Sequence, residues 1–379
     1  MEFASGISII VATEGRSNLT AGLLKELLVV RKPFVHPTEV LVIDSSIGAE
    51  RVEIASACEN SDAILIDGPV SVRSKRNIGI KRACYSVLLF LDSDCLPSTS
   101  LLEKHWENYV KDPAQKIGGV LGRLQFFGKE TFSWQIIKDS SLVQHFSIAA
   151  QSRTVRWGAT ANLSIRHDVF NDIGLFDESF PFKLGGDDLD MTYRMTCAGW
   201  ELLCEPDALV FHSRSTWSSV RSVLSRALRW GKMEYYLYCK HSNLRSPSTP
   251  SIWGWLIFVM VYAIILSLLQ SSVRYLALPA VWFFLSLILF SIWTTMASGD
   301  KRNLGIKKFF QDFLTAFPEL TYQLGSTLEF VKHGDLRFLH SRVLLNHQGI
   351  EGYWTSDAWN IWSNLLALLI CQTAFWIWM

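Results

Sequence analysis

The chain has 379 residues, of which 49% are apolar and 19% charged, and its formal net charge is +1. This length suits one large domain with further segments, and the apolar share is high enough to suggest membrane-spanning parts. The near-neutral charge gives no electrostatic case for nucleic-acid binding. The seven cysteines, none in a C-x-x-C pair, indicate neither a zinc site nor a disulfide framework.

Strand and helix patterns alternate in the first part of the chain. Strands are predicted at 7–12, 40–43, 63–66 and 87–91. Helices are predicted at 19–30 and 71–85. This alternation predicts right-handed crossovers and a parallel sheet. Because the second, third and fourth strands end at Asp44, Asp67 and Asp92, acidic side chains should gather at the carboxyl edge of the sheet, where open α/β sheets bind ligands.

The fourth strand leads directly into Asp92-Ser93-Asp94 and stops at Pro97. Its unbroken apolar run predicts burial on both faces, and the proline favours a turn that lets both carboxylates reach one region. Hard oxygen ligands of this kind suit Mg²⁺ or Mn²⁺ carrying a substrate diphosphate, although a solvated turn matches the same short motif. Neither G-x-G-x-x-G nor a P-loop motif occurs, which disfavours dinucleotide-binding dehydrogenases and P-loop NTPases.

Further motifs join these in a characteristic order. The segments are Ile-Ile-Val-Ala-Thr at 9–13, Val-Ile-Asp-Ser-Ser at 42–46, Arg-Asn-Ile-Gly-Ile at 76–80, Phe-Leu-Asp-Ser-Asp at 90–94, Gly-Ala-Thr-Ala-Asn-Leu-Ser at 158–164, Gly-Leu-Phe-Asp-Glu at 174–178 and Gly-Asp-Asp-Leu-Asp-Met-Thr-Tyr-Arg at 186–194. The series resembles the family 2 glycosyltransferases, inverting and metal-dependent enzymes, over about residues 6–240. The resemblance implies an α/β GT-A nucleotide-sugar-binding fold with a mostly parallel sheet.

The resemblance also implies roles for the matching positions. Asp188 would be the catalytic base that takes the proton of the acceptor hydroxyl. Asp94 and His212 would hold Mn²⁺ or Mg²⁺, which neutralises the departing diphosphate. The predicted donor side, with the strand-end residue Asp67 included, is Thr13, Glu14, Asp44, Asp67, Arg76 and Asp92. The predicted acceptor side, in which a tryptophan beside Gly158 would stack on a sugar, is Trp157, Gly158, Asn162, Asp187, Arg226, Arg229 and Trp230.

The chain departs from the family pattern at several places. Ala-Thr-Glu at 12–14 stands where Pro-Thr-Tyr is common, and Asp187 stands where glutamate is usual. The segment Arg226-Ala-Leu-Arg229-Trp230 satisfies the (Q/R)-x-x-R-W pattern of cellulose, chitin and hyaluronan synthases and of ceramide glucosyltransferases. It equally matches the basic, aromatic helix of non-processive relatives, or an amphipathic helix lying on a membrane surface.

Three charge-free stretches follow, each near or above the ~18–20 residues that span a bilayer. They lie at 252–269, 275–298 and 358–379, with many tryptophans near their ends. The predicted order is a catalytic domain at 1–240, a linker at 241–251, a transmembrane hairpin at 252–298, an interfacial segment at 299–357 and a third transmembrane helix at 358–379. Lys301, Arg302, Lys307 and Lys308 predict that the interfacial segment is cytoplasmic.

These features predict an integral membrane glycosyltransferase with a cytoplasmic catalytic domain and its C-terminus outside, because the N-terminus lacks a signal peptide. It would move a sugar from a nucleotide-diphosphate donor to a lipid-linked or membrane-associated acceptor, by single addition, in glycolipid, exopolysaccharide or cell-surface glycan synthesis. A processive polysaccharide synthase is one alternative, which product length would distinguish. A catalytically silent membrane scaffold is another, disfavoured by intact Asp92, Asp94 and Asp188.

Overall fold

The computed structural model describes residues 3–181, 185–297, 306–343 and 357–377. The strands are β1 (Ala4–Thr13), β2 (Thr38–Asp44), β3 (Ile64–Asp67), β4 (Tyr85–Asp92), β5 (Cys95–Pro97), β6 (Ile117–Phe127), β7 (Thr154–Val155), β8 (Asn162–Arg166), β9 (Glu201–Ser213), β10 (Arg245–Pro247) and β11 (Ser341–Val343). The helices are α1 (Ser17–Arg31), α2 (Gly48–Asn60), α3 (Val72–Arg82), α4 (Leu101–Val110), α5 (Phe132–Ile137), α6 (Ser141–Gln144), α7 (Val169–Ile173), α8 (Asp187–Cys197), α9 (Val220–Lys240), α10 (Ile252–Leu269), α11 (Leu278–Ala297), α12 (Ile306–Lys332) and α13 (Asp357–Ile377).

The chain divides into two compact units. The first comprises Met1–Lys129 and Gln144–Thr216, and the second Glu130–Val143 and Trp217–Met379. The division after 216 lies earlier than the predicted domain boundary at 240. The physical reason is that α9 packs along α12 and therefore belongs with the C-terminal helices.

The first unit is built around one sheet with the strand order β3-β2-β1-β4-β8-β6-β9-β5, in which β7 also pairs with β9. The strands β3, β2, β1 and β4 run parallel, whereas β8 is antiparallel to both of its neighbours. The longest ladders, β1–β2, β1–β4 and β6–β9, are parallel. The predicted α/β class with a mostly parallel sheet is confirmed.

The register of the parallel strands explains why acidic side chains meet at one edge. Apolar residues of β1, β2 and β4 are buried in the core, as predicted for strands covered on both faces. Across the sheet, Thr13 pairs with Asp44, Asp44 pairs with Asp67, and Ala12 pairs with Asp92. The predicted gathering of strand-end carboxylates at the carboxyl edge is therefore observed.

The second unit contains a close crossing of α9 and α12 at two glycines. A Cβ atom on Gly231 would lie 1.8 Å from the Tyr322 carbonyl oxygen, and one on Gly325 would lie 2.2 Å from the Leu228 carbonyl oxygen. Real Cβ atoms do not approach backbone this closely, so the two backbones meet only because both side chains are absent.

Two stretches of the second unit are long and apolar enough to cross a membrane, Ile252–Leu269 and Val273–Ile292. Their assignment as membrane spans rests on length and composition alone, so the hairpin at 252–298 stays a prediction. In α13 the apolar stretch found among the described residues is Asn364–Ala374, shorter than a span. The third span at 358–379 is therefore also still a prediction. Lys301 and Arg302, used for the orientation, lie outside the described residues.

Replacing Gly325 by alanine should lower stability by about 1–3 kcal/mol, because the added methyl group must push the two helix backbones apart. The matched control is Gly22→Ala in α1, where a Cβ meets only the Leu96 side chain, at 3.8 Å, and alanine is favoured over glycine by about 0.5–1 kcal/mol. Thermal unfolding should show a lower midpoint for Gly325→Ala and an unchanged or higher midpoint for Gly22→Ala. Equal midpoints would contradict the tight crossing.

Candidate active site

Two carboxylates and an imidazole meet at the carboxyl edge of the sheet. Asp92 ends β4, and β5 then pairs antiparallel with β9, so that Cys95 lies opposite His212. This pairing brings the His212 Nε2 atom to 3.4 Å from the Asp94 Oδ1 atom and 3.9 Å from the Asp92 Oδ2 atom. Asp94 and His212 are both buried. The predicted metal residues are thus brought together.

The chemistry of these side chains fits a hard divalent cation. Carboxylate oxygens and an imidazole nitrogen are suitable ligands for Mn²⁺ or Mg²⁺. The His212 Nδ1 atom lies 3.2 Å from the Ser213 carbonyl oxygen, and donation there leaves the lone pair of Nε2 facing the carboxylates. Cys95 has its sulfur within the same cluster, but the thiol donates to the Ala161 carbonyl. Burial raises the pKa of the Cys95 thiol well above its ordinary value.

The guanidinium of Arg16 also contacts this cluster. Its Nη1 atom lies 3.4 Å from the Asp94 Oδ2 atom, on the carboxylate oxygen that does not face His212. Sequence reasoning assigned no role to Arg16. The available signal was its place in the loop after β1, directly beyond Thr13 and Glu14.

The predicted donor residues Asp44 and Asp67 are joined by an arginine that sequence reasoning missed. The Asp44 Oδ1 atom accepts hydrogen bonds from the backbone N–H and hydroxyl of Ser46, at 3.0 and 2.5 Å. Its Oδ2 atom accepts from Arg51 Nη1 at 2.9 Å, and the same guanidinium pairs with the exposed Asp67. The available signal was that Arg51 lies in the first turn of α2, the helix that follows the carboxylate at the end of β2.

A buried lysine on α3 holds the loop after β1. Lys75, on α3, donates from Nζ to the Thr13 carbonyl oxygen at 2.5 Å. The Thr13 side chain is buried, with its hydroxyl 3.0 Å from the Thr20 hydroxyl, so this hydroxyl helps to hold the loop. Glu14 is exposed at the same loop. Donor contacts by Thr13 and Glu14 stay predictions.

Arg76, predicted to hold the nucleotide, connects two parts of the site. Its guanidinium pairs with Asp187 at the start of α8 and lies 3.5 Å from the Asp92 Oδ1 atom. Arg73 approaches the same Asp187 carboxylate at 3.8 Å, which also accepts from the backbone N–H of Gly185 at 3.1 Å. Asp187 is buried among these partners. Its contacts therefore support a positioning role, and the predicted acceptor contact stays a prediction.

Asp188, the predicted base, follows Asp187 in the first turn of α8 and is partly exposed. Its Oδ1 atom accepts from the Leu189 backbone N–H at 2.9 Å. Partial burial of the carboxylate raises the pKa of Asp188 to about 6. The neighbouring Asp187 carboxylate also raises this pKa, whereas the positive charge of Arg76 lowers it. A carboxylate with a pKa just below neutral is well matched to general-base work at physiological pH.

Asn162, predicted on the acceptor side, is held by internal hydrogen bonds, and an acceptor contact stays a prediction. Its side chain is completely buried. The Nδ2 atom donates to the carbonyl oxygens of Ala208 at 2.8 Å and Arg123 at 3.1 Å. The Oδ1 atom lies 2.9 Å from the His105 Nε2 atom. Because a buried amide must satisfy its hydrogen bonds internally, this asparagine ties β8 to neighbouring backbone.

Trp157 and Gly158 precede β8. Trp157 is buried, with its ring centre 5.5 Å from that of His145. Gly158 approaches the Leu121 side chain so closely that a Cβ atom there would lie 2.8 Å from it. This packing accounts for the glycine without a ligand. An acceptor contact by either residue stays a prediction.

The three predicted acceptor residues of α9 lie in the second unit. The Arg226 guanidinium stacks over the Trp217 ring at 3.8 Å from its centre, and the Trp230 ring lies 6.0 Å from the same ring. Arg229 is partly buried, which lowers the pKa of its guanidinium. These contacts account for the basic, aromatic pattern by internal packing, and the acceptor roles stay predictions.

The chain is similar in sequence to known glycosyltransferases. Over 220 residues the chain is 27% identical to the glycosyltransferase AglE of Haloferax volcanii, covering 57% of this chain and 69% of the relative. It is 25% identical over 194 residues to a pre-mycofactocin glycosyltransferase of Mycobacterium tuberculosis, covering 50% of this chain and 40% of that relative.

The fold is similar to that of the mannosyltransferase PcManGT from Pyrobaculum calidifontis, solved in complex with GDP-Man and Mn²⁺. The TM-score is 0.51 at 13% identity, covering 88% of this chain and 91% of the other. At this identity the likeness shows the fold alone, and it confirms the predicted GT-A type. Residues 5–232, more than half of the chain, match the model of the glycosyltransferase-like family 2, and the chain therefore belongs to that family.

Proposed function

We propose that the protein is an inverting, metal-dependent glycosyltransferase that moves a sugar from a nucleotide-diphosphate donor to a lipid-linked or membrane-associated acceptor. The observation that carries the proposal is the link made by Arg76 between Asp92, beside the candidate metal residues, and Asp187, beside the candidate base. This link, whose residues all belong to the first unit, supports a cation site and a general base that lie close together.

The proton transfer falls to Asp188. Its carboxylate takes the proton of the acceptor hydroxyl while the hydroxyl oxygen attacks the anomeric carbon of the donor sugar. The new carbon–oxygen bond forms on the face opposite the departing diphosphate, so the bond to the diphosphate oxygen breaks with inversion. A pKa of about 6 keeps Asp188 mostly ionised at neutral pH and still basic enough to accept the proton.

The donor would lie along the carboxyl edge of the sheet. Asp44 and Asp67, joined by Arg51, would hold the base and ribose, with Asp92 near the ribose. Asp94 and His212 would hold Mn²⁺ or Mg²⁺, which when bound supplies positive charge to the diphosphate leaving group. The similar mannosyltransferase was solved with a nucleotide sugar and Mn²⁺, which supports this assignment.

The proposal of a membrane-associated acceptor rests on the C-terminal part of the chain. Two helical stretches with the length and composition of membrane spans follow the family segment. An integral membrane enzyme with a cytoplasmic active site would meet its acceptor at the bilayer surface. Polymer export usually needs more spans than the three predicted at 252–269, 275–298 and 358–379, which favours single addition, and the length of the product distinguishes the two.

The first test is a panel of UDP-, GDP- and TDP-sugars given to detergent-solubilised protein with Mn²⁺ and native membrane lipids. We expect metal-dependent release of one nucleoside diphosphate. Asp188→Asn should lower kcat by about 10²- to 10⁴-fold with unchanged donor binding, because general-base catalysis supplies an effect of that size. The control is Asp168→Asn, at an exposed position outside the site. Full turnover in Asp188→Asn would refute the assignment of the base.

The pH profile tests the same residue independently. Because the base must be ionised, kcat/KM should be constant above pH 7 and fall about tenfold per pH unit well below pH 6, as Asp188 with its pKa of about 6 becomes protonated. The profile is measured at saturating Mn²⁺ at every pH, with circular dichroism to show that the fold persists. A flat profile from pH 5 to 8 would contradict the raised pKa.

Asp94→Asn should weaken Mn²⁺ binding by at least about tenfold and remove metal-dependent transfer, because a charged ligand is lost. Asp168→Asn is the matched control, since it makes the same change at an exposed position outside the site and should leave Mn²⁺ binding unchanged. Electron paramagnetic resonance of free Mn²⁺ measures both variants. Equal losses in the two would contradict a metal site at Asp94.

A further inference from the structure

Arg16 has a backbone conformation that is uncommon for a residue with a side chain. It lies between β1 and α1 with φ 56° and ψ 43°, in the left-handed region. Such a conformation is sterically unfavourable for residues other than glycine and persists only where neighbouring contacts maintain it. At Arg16 this conformation turns the chain from β1 into α1 beside the acidic cluster.

The contacts that maintain the conformation lie on both sides of Arg16. Before it, the Gly15 backbone N–H donates to the Ser46 hydroxyl at 2.7 Å. After it, the Ser17 backbone N–H donates to the Glu50 carboxylate at 2.6 Å. These bonds anchor the loop to the segment that follows β2 and to α2. They aim the Arg16 side chain at the carboxyl edge of the sheet.

The direction of the Arg16 side chain brings its positive charge to the buried Asp94 carboxylate. The Asp94 side chain is only 4% exposed, whereas that of Arg16 is 49% exposed. A buried carboxylate needs a compensating charge or hydrogen bonds, and Arg16 supplies a positive charge at 3.4 Å. A divalent cation at Asp94 would supply that compensation itself. The half-exposed guanidinium would then no longer be needed at Asp94 and would be available to an anion on its solvent side.

We infer that Arg16 is a positioning residue with two successive partners. It neutralises Asp94 while no divalent cation is bound, and it pairs with the diphosphate oxygens of the donor once a cation occupies the carboxylate. The guanidinium suits both partners, because it recognises carboxylate and phosphate oxygens with the same donor groups. The inference rests on the proposed function and adds to it a residue that competes with the cation and then binds the leaving group.

The test compares Arg16→Met with wild-type full-length protein in two binding measurements. Electron paramagnetic resonance first measures Mn²⁺ affinity without any nucleotide. Removing a competing, half-exposed cation should tighten Mn²⁺ binding by about two- to fivefold. Calorimetry then measures UDP and GDP separately at saturating Mn²⁺, where loss of a charge-assisted contact to the diphosphate should weaken binding by about tenfold or more.

Two variants serve as controls. Arg16→Lys keeps the charge and should restore wild-type Mn²⁺ affinity. Arg31→Met makes the same charge change at the other end of α1, where Arg31 contacts Thr38 and Asp62, and should leave both affinities unchanged. Thermal unfolding shows whether Arg16→Met stays folded, and Arg16→Asn, which tolerates the left-handed conformation better, is used if it does not.

Opposite changes in the two affinities would support the inference, because a merely structural loss would weaken both. Weaker or unchanged Mn²⁺ binding in Arg16→Met, unchanged nucleoside diphosphate binding, or no Mn²⁺ binding to wild-type protein would each overturn it. The proposed transfer reaction is judged separately, by turnover of wild-type protein and of Asp188→Asn. Failure of one is therefore distinguishable from failure of the other.

Discussion

The Arg76 guanidinium determines the spacing of the candidate active site. One side of it faces Asp92, at the end of β4, and the other pairs with Asp187, at the start of α8. Because Asp188 is the next residue of α8, this side chain helps to set its position relative to Asp92, together with the contacts of Arg73 to Asp187 and Gly185. Breaking a buried ion pair costs about 3–5 kcal/mol, so the arrangement is a stable part of the unit and not a transient contact.

Two further basic residues of α3 are buried beside Arg76. Arg73, Lys75 and Arg76 are all buried, although a helix so rich in basic residues reads in the sequence as a solvated surface helix. Each is placed against an acceptor: Arg73 against the Gly185 carbonyl, Lys75 against the Thr13 carbonyl, and Arg76 against carboxylates. Along the acidic edge, α3 supplies the opposite charge at Asp92 through Arg76. Arg51 supplies it at Asp44 and Asp67, and Arg16 supplies it at Asp94.

The second unit shows how a motif can be explained by packing. Arg226 and Trp230 surround the Trp217 ring, and Gly231, the next residue of α9, allows close approach of α12. Cation–π and aromatic contacts of this kind stabilise a helix pair without any ligand. A match to the (Q/R)-x-x-R-W pattern is accordingly compatible with a structural role, and the pattern alone cannot distinguish a processive synthase.

The sequence by itself determined the parallel strands and the acidic ends at Asp44, Asp67 and Asp92. Strand periodicity and burial on both faces are local properties of the chain, so apolar runs predict them directly. The strand end also singled out Asp94, and the family resemblance added Asp188 and His212, which lie far from it in the chain. For His212, the β5–β9 pairing supplies the physical reason that the sequence could not provide.

Only the tertiary structure decided which charged and polar side chains face inward and which partner each one meets. Asn162 and Asp187 match the family pattern, yet both are enclosed by internal partners. Arg16 and Arg51 carry no motif, yet they contact Asp94 and Asp44. The reason is physical: the partner of a buried charge is set by packing between distant segments, and no local period of the sequence records it.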